Sequence, residues 1–339
     1  VKIVNNSWNV PISFANNQTI PLDEFMMASY RFIASGGLVV FATGNEENAE
    51  PAYYSIAPKT FPALEKGWLA VAALTDGASG PENSLAHYSN ACGAARNWCL
   101  AAPGTTKVLR PSSVDGAESY SDATAYGTSF AAPQVSAAAA LVWEAYPWMT
   151  NDQVRKTLLG TATDIGAQGV DEVFGYGLLN AGKAVGGDGL LNWGNETFNV
   201  ANGNYAFNNA MTGTGGFTKS GNGILTLTNH STYTGTTTVR QGTLNLAGSV
   251  SGNVSTLSMG TLLLTGRVGG NLDNQGRTTS MGGQVEGNWT QADNSTLEAV
   301  LGAPSMVGGR FEANGTLSVV GLASADYVVQ KTETVVTAG

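Results

Sequence analysis

"GTSFAAP", residues 127–133, opens an alanine-rich run that continues to Tyr146. Gly127 permits a tight backbone approach, and Thr128 and Ser129 stand where a helix begins. A helix start carries unpaired N–H groups and the positive end of the helix dipole. A serine there is either a plain cap or a nucleophile facing donors for a developing oxyanion. Ala131 and Ala132 allow close packing, and Pro133 falls early enough in the helix to be tolerated.

The segments around this helix alternate in type. "PLDEFMMASYRFIAS" (21–35) sets Leu22, Phe25, Met26, Phe32 and Ile33 near one helical face, and Gly36-Gly37 ends it. "LVVFAT" (38–43) and "WLAVAAL" (68–74) read as buried parallel strands. Thr150 and Gln153 form a capping box for a helix that follows the one at 129–146. Strand–helix–strand order predicts an α/β parallel sheet with helices on its faces over residues 1–186.

The composition changes near residue 187. Residues 187–212 read as a linker leading into a stem, and from about 213 the chain is rich in Gly, Thr, Asn and Ser without a helical period. Similar segments carry pairs at spacing two: Leu225/Leu227, Leu244/Leu246, Leu262/Leu264, Leu297/Ala299 and Leu317/Val319. Their period of roughly 18–20 residues, with one double step after Leu262, predicts a parallel β-helix over 213–339. A β-sandwich of hairpins is the competing architecture, and the regular period disfavours it.

A formal net charge of −9 and the lack of basic clusters argue against a nucleic-acid partner. No stretch approaches the roughly 20 apolar residues of a membrane helix. The chain opens on "VKIV" at Val1, which suggests a piece of a longer protein cut inside a domain. Cys92 and Cys99 share one loop; a disulfide is expected there over two free thiols, and C-x6-C is no standard metal spacing. Such a bridge would contribute roughly 2–3 kcal/mol and would imply an oxidising compartment.

Gly127, Thr128, Ser129, Ala131 and Pro133 resemble the catalytic-serine motif G-T-S-x-A-x-P of subtilisin-like serine proteases. "VVFATGNEE" (39–47) resembles that family's strand leading to its oxyanion-hole asparagine, which would be Asn45; a plain turn is the other reading of a Gly-Asn pair. "IVNNSWN" (3–9) resembles the substrate-lining strand, with Ser7 and Trp8 matching and Asn9 in place of the usual glycine. The resemblance thus implies Ser129 and Asn45 as catalytic residues and Ser7, Trp8, Asn9 and Gly44 as substrate-binding. "HYSNACGAARNWCLAAPG" (87–104) and "FGYGLLNAGKAV" (174–185) extend the match across residues 1–186.

The family's order is Asp, then His, then Ser, with both partners upstream of the oxyanion asparagine. His87 and His230, the two histidines of the chain, fall in a loop and in the repeat region, so neither is the expected base. The reading therefore expects the sheet to be N-terminally truncated and the chain by itself to be inactive. Lys107 and Lys156 are taken as surface charges rather than members of a Ser–Lys dyad. Glu46, Glu47 and Glu50 are taken as a solvated acidic loop, with structural Ca²⁺ as the alternative; no other cofactor is expected.

Residues 212–248 resemble the autotransporter-associated β-strand repeat through Gly215, Gly216, Lys219, Gly221, Gly223, Leu225, Leu227, Tyr233, Gly235, Thr237, Val239, Gly242 and Leu244. That resemblance implies a right-handed β-helical stem in a passenger domain. It also implies secretion to the surface of a Gram-negative bacterium and a C-terminal translocator β-barrel, absent from these residues, as partner. The combined expectation is an autotransporter serine endopeptidase acting on protein or peptide substrates. A catalytically dead, β-helical adhesin or binding protein is the alternative.

Overall fold

β1 (Ile3–Asn6), β2 (Leu38–Ala42), β3 (Trp68–Leu74) and β4 (Cys99–Pro103) form one parallel sheet, hydrogen-bonded in that order. They belong to the first of two units, Val1–Val185 and Gly186–Gly339, in a computed structural model that describes residues 1–10, 21–77, 81–114, 117–321 and 334–339. Every residue of β2 and β3 is buried, as continuous apolar strands require when both sheet faces are covered. On one face Val39, Phe41, Ala70 and Ala72 pack with Trp68 and with Met26 and Ile33 of α1 (Glu24–Ala34). α2 (Thr128–Ala145) packs against all four strands, and its buried Ala131, Ala132, Ala138 and Ala139 keep that approach close.

The caps follow the sequence closely. Asp23 accepts the Met26 N–H at 2.8 Å and starts α1 slightly later than the pattern suggests. Thr150 and Gln153 form the expected capping box at the head of α3 (Asn151–Gly160). Cys92 and Cys99 are joined in a disulfide that brackets the 3-10 turn Gly93–Trp98. Lys156 departs from its expectation as a surface charge: it is buried, with Nζ 2.8 Å from Asp152 Oδ2. Neighbouring Arg155 also meets Asp152, so the carboxylate compensates two buried cations on one helical turn.

A feature the sequence pattern did not suggest is the antiparallel hairpin β5 (Thr105–Val114) and β6 (Ala117–Tyr126), which leads directly to Gly127. Its strands are mostly exposed, and Pro111 and several serines interrupt the apolar alternation by which a strand is recognised.

The described residues of 186–339 wind as a right-handed parallel β-solenoid of about seven coils. The stretch 187–212, expected as linker and entry to the stem, forms a coil. Glu196–Asn199 pairs with Phe217–Ser220, and Asn204–Phe207 pairs with Ile224–Leu227, both in parallel. Its inward side chains are Phe198 and Phe207 rather than leucines, with ring centroids 5.2 Å apart. The double step after Leu262 hides another coil. There Thr278 sits in register with Leu262 and Leu297, and Ser280 with Leu264 and Ala299.

The solenoid interior therefore mixes leucine columns with satisfied polar groups. Asn274 Nδ2 donates to Gln291 Oε1 at 2.6 Å and to the Thr296 carbonyl at 3.1 Å. Lys219 is buried, its Nζ donating to the carbonyls of Ser220, Gly221 and Gln241 at 3.1, 2.8 and 2.9 Å, while burial pushes its pKa down to about 8. At one corner Asn253, Asn271 and Asn288 use Oδ1 to accept the N–H of Asn271, Asn288 and Arg310 on the following coil, at 2.8–2.9 Å.

Two outcomes follow for stability. Thr256 and Thr278 bury hydroxyls without hydrogen-bond partners. Thr256→Val or Thr278→Val removes that desolvation cost at constant shape, so each should stabilise the chain by about 1 kcal/mol in urea unfolding. Tyr233 is buried and bonded to Thr237 Oγ1; burial raises its phenol pKa more than that bond lowers it. Above about pH 10 the unfolded chain releases this proton while the folded chain keeps it, so stability falls as pH rises. Urea midpoints measured between pH 8 and 11 should show a shallower alkaline loss in Tyr233→Phe than in the unaltered chain.

Candidate active site

Ser129 is the second residue of α2, held there by three contacts around the helix start. Gly127 turns the chain out of β6 with φ +149° and donates its N–H to the Gly104 carbonyl at 3.0 Å. The Phe130 N–H returns to the Gly127 carbonyl at 3.0 Å. Thr128 N–H and Thr128 Oγ1 both donate to Asn45 Oδ1 at 2.9 Å. With its oxygen engaged twice, Asn45 retains its amide Nδ2 as a donor, and the residue is exposed. The Ser129 N–H belongs to the first helical turn and has no acceptor within the helix. One side-chain donor and one backbone donor are thus associated with a serine hydroxyl, as stabilisation of an oxyanion requires.

Ser7 and Ser129 are tied reciprocally. Ser129 Oγ donates to the Ser7 carbonyl at 2.8 Å, and Ser7 Oγ donates to the Ser129 carbonyl at 2.7 Å. Pro133 explains the second bond. The Ser129 carbonyl would ordinarily accept the N–H four residues on, but proline has none. Ser7 supplies the missing donor, so the helix irregularity fixes the strand end against the serine.

The other expected substrate residues separate. Trp8 is about half exposed beside Ser7, with its ring edge-on to Phe25, Phe41 and Tyr54 at 5.5–5.7 Å. Asn9 is used by the protein itself. Its Nδ2 donates to the Ala42 carbonyl at 2.6 Å and to Ser55 Oγ at 2.8 Å, and its Oδ1 accepts from Val10 and Tyr54 N–H. Gly44 is buried at φ +109°, and a Cβ there would stand 2.4 Å from both Asn90 Nδ2 and Glu46 Oε2. A side chain at this position would have no room.

No described imidazole is bonded to Ser129. His87 is exposed and packs edge-on against Tyr88, while His230 pairs with Ser249 in the solenoid unit. Lys107 donates to Thr124 Oγ1 at 2.9 Å on the hairpin. The carboxylates of Glu46 and Glu50 accept from Asn90 Nδ2 and Ala94 N–H at 2.7 and 2.9 Å. Among the described residues no group of three or more His, Cys, Asp and Glu side chains is arranged to hold a metal ion. Sequence reasoning passed over Asn90, whose amide lies under the loop that carries Asn45; its only signal was the Ser-Asn pair within "HYSNACG".

Residues 1–177 match the subtilase family, and residues 217–246 match the passenger-associated-transport-repeat. The chain is 33% identical over 345 residues to serotype-specific antigen 1 of Mannheimia haemolytica, covering 97% of this chain and 34% of that protein. It is 39% identical over 236 residues to the autotransporter lipoprotein NalP of Neisseria meningitidis serogroup B, covering 65% of this chain and 21% of that protein. An extracellular serine protease of Serratia marcescens is 30% identical over 299 residues, covering 72% of this chain and 28% of that protein. The chain thus spans between about a fifth and a third of the length of these relatives.

The Ser7–Pro133 relation is testable by non-additivity. Ser7→Ala leaves the Ser129 carbonyl without its donor and should cost about 1 kcal/mol in thermal or urea unfolding. In a Pro133→Ala background the helix regains an N–H for that carbonyl, and the same Ser7→Ala change should cost measurably less.

Proposed function

The chain belongs to the subtilase family, and from that premise we propose that it carries the nucleophile and oxyanion donors of an autotransporter serine endopeptidase. The observation carrying this reading is the pair of hydrogen bonds that Thr128 N–H and Oγ1 donate to Asn45 Oδ1, which leaves Asn45 Nδ2 to donate beside Ser129. In the proposed reaction Ser129 Oγ attacks the scissile carbonyl carbon and its proton passes to a general base. Asn45 Nδ2 and the Ser129 N–H stabilise the tetrahedral oxyanion. Collapse expels the amine, which takes the proton, and water then hydrolyses the acyl-enzyme to regenerate Ser129.

The base is a residue outside those described beside Ser129, so cleavage is an activity of the longer protein and this stretch alone is inactive or nearly so. Polypeptides are the substrates, and Ser7 and Trp8 line their path. The repeat match and the NalP and Serratia relatives support secretion to the surface of a Gram-negative bacterium, with the solenoid as stem and a C-terminal outer-membrane translocator as partner. The disulfide fits an oxidising compartment of that kind.

An alkyl fluorophosphonate applied to the full-length protein should label Ser129, detected by intact mass and peptide mapping, and Ser129→Ala should abolish labelling. Asn45→Ala should lower kcat by about 10²–10³ with KM little changed; that magnitude is the known one for the family's own oxyanion asparagine, taken over and not a property measured for this chain. A full-length protein that folds yet leaves Ser129 unlabelled overturns the protease reading and leaves the β-solenoid as a binding or adhesive surface.

A further inference from the structure

The loop that presents Asn45 has little hydrogen bonding of its own. Gly44 and Glu47 both adopt positive φ, +109° and +58°, so residues 43–48 follow no repeating structure. Three successive amides of the loop instead end on residues 88–90. Glu46 and Asn48 donate to Asn90 Oδ1 at 3.0 and 2.9 Å, and Glu47 donates to the Tyr88 carbonyl at 3.1 Å.

Asn90 also uses its donors on the same loop. Its Nδ2 donates to the Thr43 carbonyl at 3.0 Å and to Glu46 Oε2 at 2.7 Å, and its own N–H donates to the Gly44 carbonyl at 3.0 Å. The side chain is 1% exposed, so these bonds are shielded from water. The platform is anchored in turn: Ser89 Oγ accepts the Ala73 N–H of β3 at 2.9 Å, and Cys92 is tied to Cys99 of β4. Asn45 is therefore fixed at one end by Thr128 and at the other by Asn90.

We infer that Asn90 is a positioning residue for oxyanion stabilisation, acting only through Asn45; this rests on the protease reading above. Its side-chain amide accepts two N–H groups of the 43–48 loop and donates to it twice, beside the backbone bonds from Asn90 N–H to the Gly44 carbonyl and from Ala91 N–H to the Asn48 carbonyl. Losing it displaces the Asn45 donor relative to Ser129, and a shift of about 1 Å at such a donor costs on the order of 10²-fold in rate. Substrate affinity is unaffected, because Asn90 touches no part of the binding strand.

The experiment uses the full-length protein and an alkyl fluorophosphonate, reading kinact and KI for Ser129 in a double-mutant cycle. Asn90→Ala should lower kinact by about 10- to 100-fold with KI unchanged, and Asn90→Ala/Asn45→Ala should be no slower than Asn45→Ala alone. A kinact equal to that of the unaltered protein, or a loss that adds to that of Asn45→Ala, overturns the inference while leaving the protease reading standing. No labelling of the unaltered protein overturns both. Should Asn90→Ala not fold, Asn90→Asp gives the second reading. It keeps the acceptors for Glu46 and Asn48 but sets a carboxylate against Glu46, so kinact should fall. Adding Glu46→Gln restores a donor–acceptor pair with reversed direction and should recover part of the rate; no recovery overturns the inference.

Discussion

An α-helix leaves its first amides without partners, and the candidate site is a set of answers to that constraint. At the head of α2 the Thr128 amide is taken by Asn45, the Phe130 amide by Gly127, and the Ser129 amide is left over. Asn45 can accept only because a loop from the end of β2 reaches the helix, and that loop holds its shape because residues 88–90 receive its amides. The parallel sheet beneath brings these sequence-distant pieces to one edge. Ser129, the Asn45 side chain and their support thus come from separate strand ends meeting one helix terminus.

Pro133 shows how a local fault is made useful. A proline inside a helix forfeits one hydrogen bond and exposes a carbonyl. Here the exposed carbonyl belongs to Ser129, and its new partner is Ser7 at the end of the sheet's edge strand. A residue that weakens the helix in isolation thereby couples the serine to the segment after β1 that carries Trp8. The reciprocal bond from Ser129 Oγ to the Ser7 carbonyl gives the hydroxyl a defined resting partner.

Much of this was legible in the sequence, for identifiable reasons. The buried strands are apolar throughout, the α3 cap is written in Thr150 and Gln153, and the solenoid shows itself wherever its inward pair is leucine. Where the inward pair is Thr278 and Ser280 the coil shows only as a double step in the period, and where Phe198 and Phe207 fill the coil the leucine signature is lost altogether. Asn9 stood at a substrate-lining position in place of the usual glycine, and its partners Ala42 and Ser55, which claim its amide, lie far along the sequence. Asn90 was hidden for the same cause: its partners are more than forty residues away, beyond any local period.

The polar bonds inside the solenoid bear on how a stack of near-identical layers is assembled without slipping. Leucine columns alone do not distinguish one layer from the next, so a chain displaced by one turn would bury nearly the same apolar area. The Asn274 amide changes that arithmetic, because it donates to Gln291 Oε1 and to the Thr296 carbonyl in this stacking. A displaced stack would exchange its register neighbours Thr256 and Gln291 and lose both bonds, at a cost of about 1–3 kcal/mol for each stranded polar group. Asn274 and Gln291 therefore act as an index mark that sets the phase of the coils, a use of buried polarity known from helical assemblies, where one asparagine fixes the alignment of otherwise interchangeable repeats.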